Sequence, residues 1–225
     1  MVFIVSGPSG VGKTTLVEHL LKTPTDLMFS VSYTTRAARP DEKHGRDYWF
    51  VSREIFEDMI RRGEFLEYAD VFGSLYGTHR RVLGEAAQQG KDLVLDIDVQ
   101  GARQVKAKVA EAVAIFLLPP SAPELERRLR ARGLDALKII RQRLEHARQE
   151  IESYDAYDYV VVNRTLAEAC AQVEAIVVAE RQRRAHRPLP AIALQEAAAR
   201  AAAARKEANR GQISAILETF EAQTP

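Results

Sequence analysis

The chain has 225 residues and a mass of 25.2 kDa, enough for one or two domains with a hydrophobic core of ordinary size. Its 46% hydrophobic and 28% charged residues are usual for a globular protein, and 32 Lys and Arg against 31 Asp and Glu leave a net charge of +1, so any basic function must be local. The single cysteine, Cys170, excludes an internal disulfide, and no apolar run reaches the roughly eighteen residues of a spanning helix. The opening MVFIVSGPSG has no basic flank and too short an apolar stretch for a secretory signal, so the expectation is a soluble cytoplasmic protein.

Val2–Val5 is an apolar, β-branched run and reads as a buried strand. Gly and Pro follow, then a helix over Lys13–Lys22 whose Leu16, Val17, Leu20 and Leu21 share one face. Ser52 to Arg62 is a second amphipathic helix, with Ser52 as N-cap and Gly63 just past its end. Leu93–Ile97, Val113–Leu118 and Tyr159–Val162 read as further buried strands. Ser121 with Glu124, and Thr165 with Glu168, are capping boxes that open helices. Strands alternating with such helices predict an α/β fold with a mainly parallel sheet. Residues 29–76 break the rhythm with aromatic, strand-like pieces around one helix, as in a small mixed lobe. After Pro188 and Pro190 the composition shifts, and residues 191–208 hold ten alanines in eighteen. Alanine favours helix, but few large apolar groups are there to dock, so a solvated helix dispensable for chemistry is expected.

Gly7, Pro8, Ser9, Gly10, Val11, Gly12, Lys13 and Thr14 fit G-x-x-x-x-G-K-[ST] in full, between a strand and a helix. Glycines let successive N–H groups turn inward around an anion, and the helix N-terminus adds its positive end. Lys13 is placed to reach the β- and γ-phosphates, and the Thr14 hydroxyl to ligate Mg²⁺. This pattern predicts a bound nucleoside triphosphate without naming the reaction.

A second set of residues points to a phosphorylated acceptor. Arg36 and Arg39 lie three apart in a loop-like stretch, and guanidinium forks grip phosphate bidentately. The Tyr48 and Tyr76 hydroxyls can donate to the same phosphate. Glu67 is a carboxylate in an apolar, aromatic setting. Guanine presents two adjacent donors, N1–H and the 2-amino group, that one carboxylate accepts, whereas adenine presents a lone pair at N1; such a site rejects the unpaired analogue. Ser32 and Thr78 would complete the base edge. Taken singly, the arginines also read as solvated surface, Tyr48 as a core tyrosine, and Glu67 as the outward position of an edge strand. Asp96 and Asp98 end a buried strand, beyond which ligands sit in open parallel sheets; capping of the following helix through Gln100 and Gly101 is the alternative for both.

The S-x-T-T-R-x-x-R run from Ser32, the G-x-D-Y of Gly45 to Tyr48, the L-D-I-D-x-Q-G of Leu95 to Gly101 and the phosphate loop occur together and in order, and with them the chain resembles the guanylate kinase family over roughly residues 2 to 184. The resemblance implies an α/β, P-loop three-layer fold with a central mainly parallel sheet, a small mixed GMP-binding lobe and an Arg-rich lid. It divides residues 1–184 into a core (1–30 and 77–184), a lobe (about 31–76) and a lid (about 127–148), leaving 185–225 as an Ala-rich helical extension. It implies transfer of the γ-phosphoryl of ATP to GMP (and dGMP) with Mg²⁺, in purine nucleotide metabolism. The GMP site implied is Ser32, Arg36, Arg39, Tyr48, Glu67, Tyr76, Thr78 and Asp98, with Asp96 and Thr14 for the metal and Asn163 on the adenine side.

The segment 127–148 carries seven arginines, of which the resemblance picks Arg128, Arg132 and Arg143 for catalysis beside Lys13 and Arg36, leaving Arg127 and Arg130 as weaker candidates. Asp135-Ala136-Leu137-Lys138 makes the lid less acidic than the family pattern, and Arg164 follows Asn163 where an acid is common. No membrane or specific nucleic-acid partner is expected, and a monomer or small homo-oligomer is. A catalytically silent interaction module is the main rival, disfavoured by Gly12, Lys13 and Thr14; a kinase for another acceptor is disfavoured by Glu67 with Ser32.

Overall fold

The structure is a computed structural model that describes residues 1–22, 26–131, 137–185 and 192–222. In chain order its elements are β1 (Val2–Ser6), α1 (Lys13–Lys22), β2 (Leu27–Phe29), β3 (Tyr33–Thr34), β4 (Trp49–Phe50), α2 (Arg53–Arg61), β5 (Phe65–Val71), β6 (Ser74–His79), α3 (Val82–Gln88), β7 (Asp92–Asp96), α4 (Val99–Lys108), β8 (Val113–Leu118), α5 (Ala122–Ala131), α6 (Leu137–Glu152), a 3₁₀ turn (Ser153–Ala156), β9 (Tyr159–Val162), α7 (Leu166–Ala185), α8 (Ile192–Ala203) and α9 (Lys206–Glu221). A five-stranded sheet runs β2-β7-β1-β8-β9 and a four-stranded sheet runs β4-β3-β6-β5. The β2/β7 and β8/β9 pairs are parallel, as alternating strands and helices predict. The chain divides into two compact units, Met1–Ile4 with Asp26–Ala112, and Val5–Thr25 with Val113–Pro225.

In the first unit the mixed sheet is antiparallel except for β3/β4. Helix α2 starts where Ser52 Oγ accepts the Ile55 N–H at 3.3 Å, and Gly63 follows its end at φ 64°. Its apolar stripe supplies Phe56 and Met59 to a core with Phe65 and Leu75, against which Tyr33, Val51 and Ile60 pack. Phe56 and Phe65 stack with centroids 4.4 Å apart. This core lies on one face of the sheet and leaves the other for polar side chains. The register decides which residues those are. Phe65 pairs with His79, but Glu67 pairs with Thr78, so Leu66 is an extra residue in β5. That bulge reverses the alternation and turns Glu67 away from the face of Phe65.

In the second unit β8 is buried along its whole length, and α7 buries Ala169, Cys170, Val173, Ile176 and Val177. The capping contacts expected for α5 and α7 form: Ser121 Oγ accepts from the Glu124 N–H and Thr165 Oγ1 from the Glu168 N–H, each at 3.3 Å. The tail departs from the expected solvated helix. It forms two helices. Helix α8 packs on α7 with Ala201 buried, and Ala204 is buried in the turn that follows. Helix α9 packs on α5, α6 and β9 and buries Ile213, Ile216 and Phe220. Alanines dock here because they let backbones approach closely, and the large apolar groups lie just beyond the alanine-rich window. The turn between them covers the edge of β9, where the Val160 N–H donates to Ala204 O at 2.8 Å.

Candidate active site

The residues expected to hold the acceptor lie in the first unit. Strand pairing places Thr34, Tyr76, Thr78 and Glu67 on the sheet face opposite α2. Arg36 reaches the same group: its Nε donates to Tyr76 Oη at 3.1 Å, and its guanidinium lies 5.5 Å from the centre of the Tyr48 ring. Tyr48 and Tyr76 meet edge to face at 5.8 Å. Sequence reasoning missed Glu42. Both its oxygens accept from one nitrogen, Arg36 Nη2, at 2.7 and 2.9 Å, and Oε2 also accepts the Arg39 N–H at 2.8 Å. Burial works against charge on Arg36, but the bonds to Glu42 and Tyr76 outweigh it and hold the guanidinium firmly protonated. Arg36 is thus held in place by a carboxylate on Nη2 and a tyrosine hydroxyl on Nε. The arginine spacing was the available signal; a glutamate three residues past Arg39 carried none alone. The Arg39 side chain is exposed, and Ser32 precedes β3 with its carbonyl accepting the Trp49 N–H at 2.9 Å.

Glu67 is 3% exposed and Thr78 fully buried. Burial raises the Glu67 carboxyl to about 7; Thr78 pulls it down, Asp98 pushes it up, and Lys108 pulls it down again. Thr78 faces Glu67 through its hydroxyl and N–H. A buried carboxyl and a buried hydroxyl thus face each other on the polar side of the sheet. Asp98 is the N-cap of α4, accepting the Gly101 N–H at 2.9 Å, and Gln100 Nε2 donates to its other oxygen at 3.1 Å. The capping alternative is therefore realised for Asp98, which stays close enough to act on Glu67. Gly101 is the second residue that the sequence did not reveal. A Cβ there would lie 2.4 Å from Glu67 Oε2, so the glycine lets the carboxylate approach the start of α4. Burial pushes the Tyr48 hydroxyl up to about 12, helped by Asp96 at the end of β7.

The phosphate loop and the arginines expected beside it lie in the second unit. Gly7, Gly10 and Gly12 take φ values of 144°, 91° and 103°, which side chains rarely adopt. At Gly12 a Cβ would stand 2.7 Å from Asn163 Nδ2. That nitrogen donates to Val11 O at 2.7 Å, so Asn163 supports the loop from behind. Lys13 Nζ folds over the loop onto Gly7 O at 2.7 Å. Arg128 donates to Val11 O at 3.3 Å and to Asn163 O at 2.9 Å, and its Nε is fixed by Glu124 at 2.8 Å. Bonds from Arg127 and Arg128 hold the Glu124 carboxyl down at about 2. Arg143 Nη1 donates to Ser9 Oγ at 3.0 Å. Arg127 and Arg130 instead pair with Glu124 and Glu126 on the exposed side of α5. Arg132 and residues 133–136 of the expected lid lie outside the described residues.

For Mg²⁺ the residues expected to serve carry hard oxygens: Thr14, an exposed residue in the first turn of α1, and Asp96, a half-buried residue at the end of β7. Among the described residues no group of three or more His, Cys, Asp or Glu gathers into a metal cage. That chemistry fits Mg²⁺, which keeps waters and phosphate oxygens and takes one or two protein groups.

A strand, a glycine turn and a helix with an inward lysine define a phosphate-loop nucleotide-binding protein. A family model described as guanylate kinase matches residues 1–180. The chain is 52% identical over 186 residues to the guanylate kinase of Koribacter versatilis, covering 81% of this chain and 80% of that one. It is 49% identical over 180 residues to that of Nitrosomonas europaea, covering 80% and 90%. The crystal structure of guanylate kinase from Anaplasma phagocytophilum is similar with a TM-score of 0.66 and 38% identity, over 80% of this chain and 85% of that one. The chain belongs to the guanylate kinase family.

Proposed function

We propose that the two half-sites serve one reaction, transfer of the γ-phosphoryl of ATP to GMP (and dGMP), giving ADP and GDP in purine nucleotide metabolism. The observation that carries the choice of acceptor is the buried Glu67 carboxyl facing the buried Thr78 hydroxyl on the sheet face of Tyr76, which Arg36 and Tyr48 touch. Glu67 accepts N1–H and the 2-amino group of guanine, and Thr78 and Ser32 complete the edge. Asp98 keeps the start of α4 in place beside it. Arg36, Arg39, Tyr48 and Tyr76 hold the acceptor phosphate.

On the donor side, main-chain N–H groups and Lys13 hold the triphosphate. Arg128 and Arg143, with Arg132, neutralise charge on the equatorial oxygens as the phosphoryl moves in line. The acceptor is already an oxyanion, so no strong general base and no covalent intermediate are required. Thr14 and Asp96 are the residues that would hold Mg²⁺, which would supply neutralisation of phosphate charge. Exclusion of water keeps ATP from wasteful hydrolysis. Among the described residues no helix is long and apolar enough to cross a membrane, and a cytoplasmic enzyme acting on free nucleotides, as monomer or small homo-oligomer, is our reading.

A coupled ADP-release assay with GMP, dGMP, AMP, CMP and UMP tests it. GMP and dGMP should be turned over and the others left nearly untouched. Absence of ADP with every acceptor would favour an interaction module, and preference for another base would remove Glu67 from the reading role.

A further inference from the structure

We propose that the C-terminal helix α9 is a positioning element of the donor half-site, acting through Thr219 and Gln212. The family match ends at residue 180, so α9 lies outside it. Three groups reach the phosphate loop from other segments of this unit: Arg128 from α5, Arg143 from α6 and Asn163 from the turn after β9. Helix α9 grips each of those segments. Thr219 Oγ1 accepts the Ala122 N–H at 2.9 Å, taking one of the unpaired donors at the start of α5. On α6, Arg148 Nη2 donates to Glu221 at 3.3 Å. At the third segment, the Gln212 amide has its neighbours satisfied when its oxygen accepts from the Arg164 guanidinium at 3.2 Å and its nitrogen donates to Asn209 Oδ1 at 3.3 Å. Arg164 follows Asn163 directly, and its carbonyl is within 3.4 Å of Arg128 Nη2.

The helix is held firmly enough to act as a reference. Ile213, Ile216 and Phe220 are buried. The turn before it is tied by a buried ionic group. Glu180, 2% exposed, accepts from Tyr159 Oη at 2.5 Å, from Arg183 at 2.6 Å and from Arg205 at 3.0 Å. Arg205 also lies 4.2 Å from the centre of the Tyr159 ring. A displacement of about 1 Å at a charge-stabilising group is enough to lower a rate up to a hundredfold. Thr219 and Gln212 are thus positioning residues that touch no substrate.

The inference rests on the reading of Arg128 and Arg143 as donor-side groups, and the test separates the two. Full-length Gln212→Leu, Thr219→Val and the double variant, with a chain ending at residue 185, are assayed for kcat, for KM of GMP and for unfolding midpoint. Affinity for a non-hydrolysable ATP analogue is measured by calorimetry. The double variant should lose about tenfold in kcat and several-fold in analogue affinity, with KM for GMP unchanged and a shift in midpoint of a few degrees at most. Thr219→Ser should restore the Thr219→Val loss. Wild-type kcat and analogue affinity in the double variant overturn the proposal, as does an equal loss on the GMP side. Should the shortened chain not fold, the point variants decide. A wild-type protein without ADP release would remove the kinase reading instead, and analogue affinity would still judge α9.

Discussion

Burial holds the Glu67 carboxyl at about 7, well above the ordinary glutamate value, with desolvation as the main cause and Asp98 adding to it. The folded protein therefore keeps a proton on Glu67 that the unfolded chain releases. Its contribution to stability is full below the ordinary carboxyl range and is lost as pH rises to about 7. Guanine requires the carboxylate form, so KM for GMP should rise below pH 7, by up to about tenfold per unit. Phosphate titrates near pH 6 in any variant, so the comparison is with Glu67→Gln, which should retain that weaker slope and lose the rest. The same variant should lower the GMP-to-AMP preference by about a hundredfold, because its amide N–H₂ faces donors. Gly101→Ala tests the close approach: its Cβ would stand 2.4 Å from Glu67 Oε2. Alanine favours helix by about 1 kcal/mol over glycine, so a rise in KM for GMP of tenfold or so, without loss of stability, would identify displacement of the carboxylate.

Among the elements, β5 shows how a small irregularity sets chemistry. Strict alternation from the core residue Phe65 would send Leu66 to the polar face and Glu67 to the core. The extra residue at Leu66 reverses this, and Lys108 Nζ donates to the Leu66 carbonyl at 2.5 Å. Helices α7 to α9 make a second case. Glu180 is a buried acidic side chain held by Tyr159, Arg183 and Arg205. Removing one partner leaves part of its charge unmet, so Arg205→Ala should reduce unfolding free energy by about 1.5–3 kcal/mol, the usual contribution of a hydrogen bond to a charged group. Denaturant titration with an unchanged m-value checks it.

At the scale of the whole molecule, the groups proposed for acceptor and donor belong to separate compact units, Met1–Ile4 with Asp26–Ala112 and Val5–Thr25 with Val113–Pro225. Lys13→Ala should consequently abolish turnover while a calorimetric titration with GMP stays within about twofold of the wild type. Loss of GMP binding along with turnover would mean that the lysine supports the fold of both.

Much of this was legible in the residues. The phosphate loop, the strands Val113–Leu118 and Tyr159–Val162, the caps at Ser52, Ser121 and Thr165, and the set Arg36, Tyr48, Glu67, Tyr76 and Thr78 follow from local pattern and ordered motifs, because steric and capping preferences act over a few neighbours. Glu42 on Arg36, Gly101 beneath Glu67, the bulge at Leu66 and the docking of α9 did not, since each is a contact between distant segments or a register choice. The chain's own pattern named a phosphate loop and singled out Glu67, the carboxylate that we propose reads the purine. Folding alone chose which way that carboxylate points, how far it is dehydrated, and that an alanine-rich tail lies against the helices bearing the arginines, because burial and pairing depend on what else arrives in the same place.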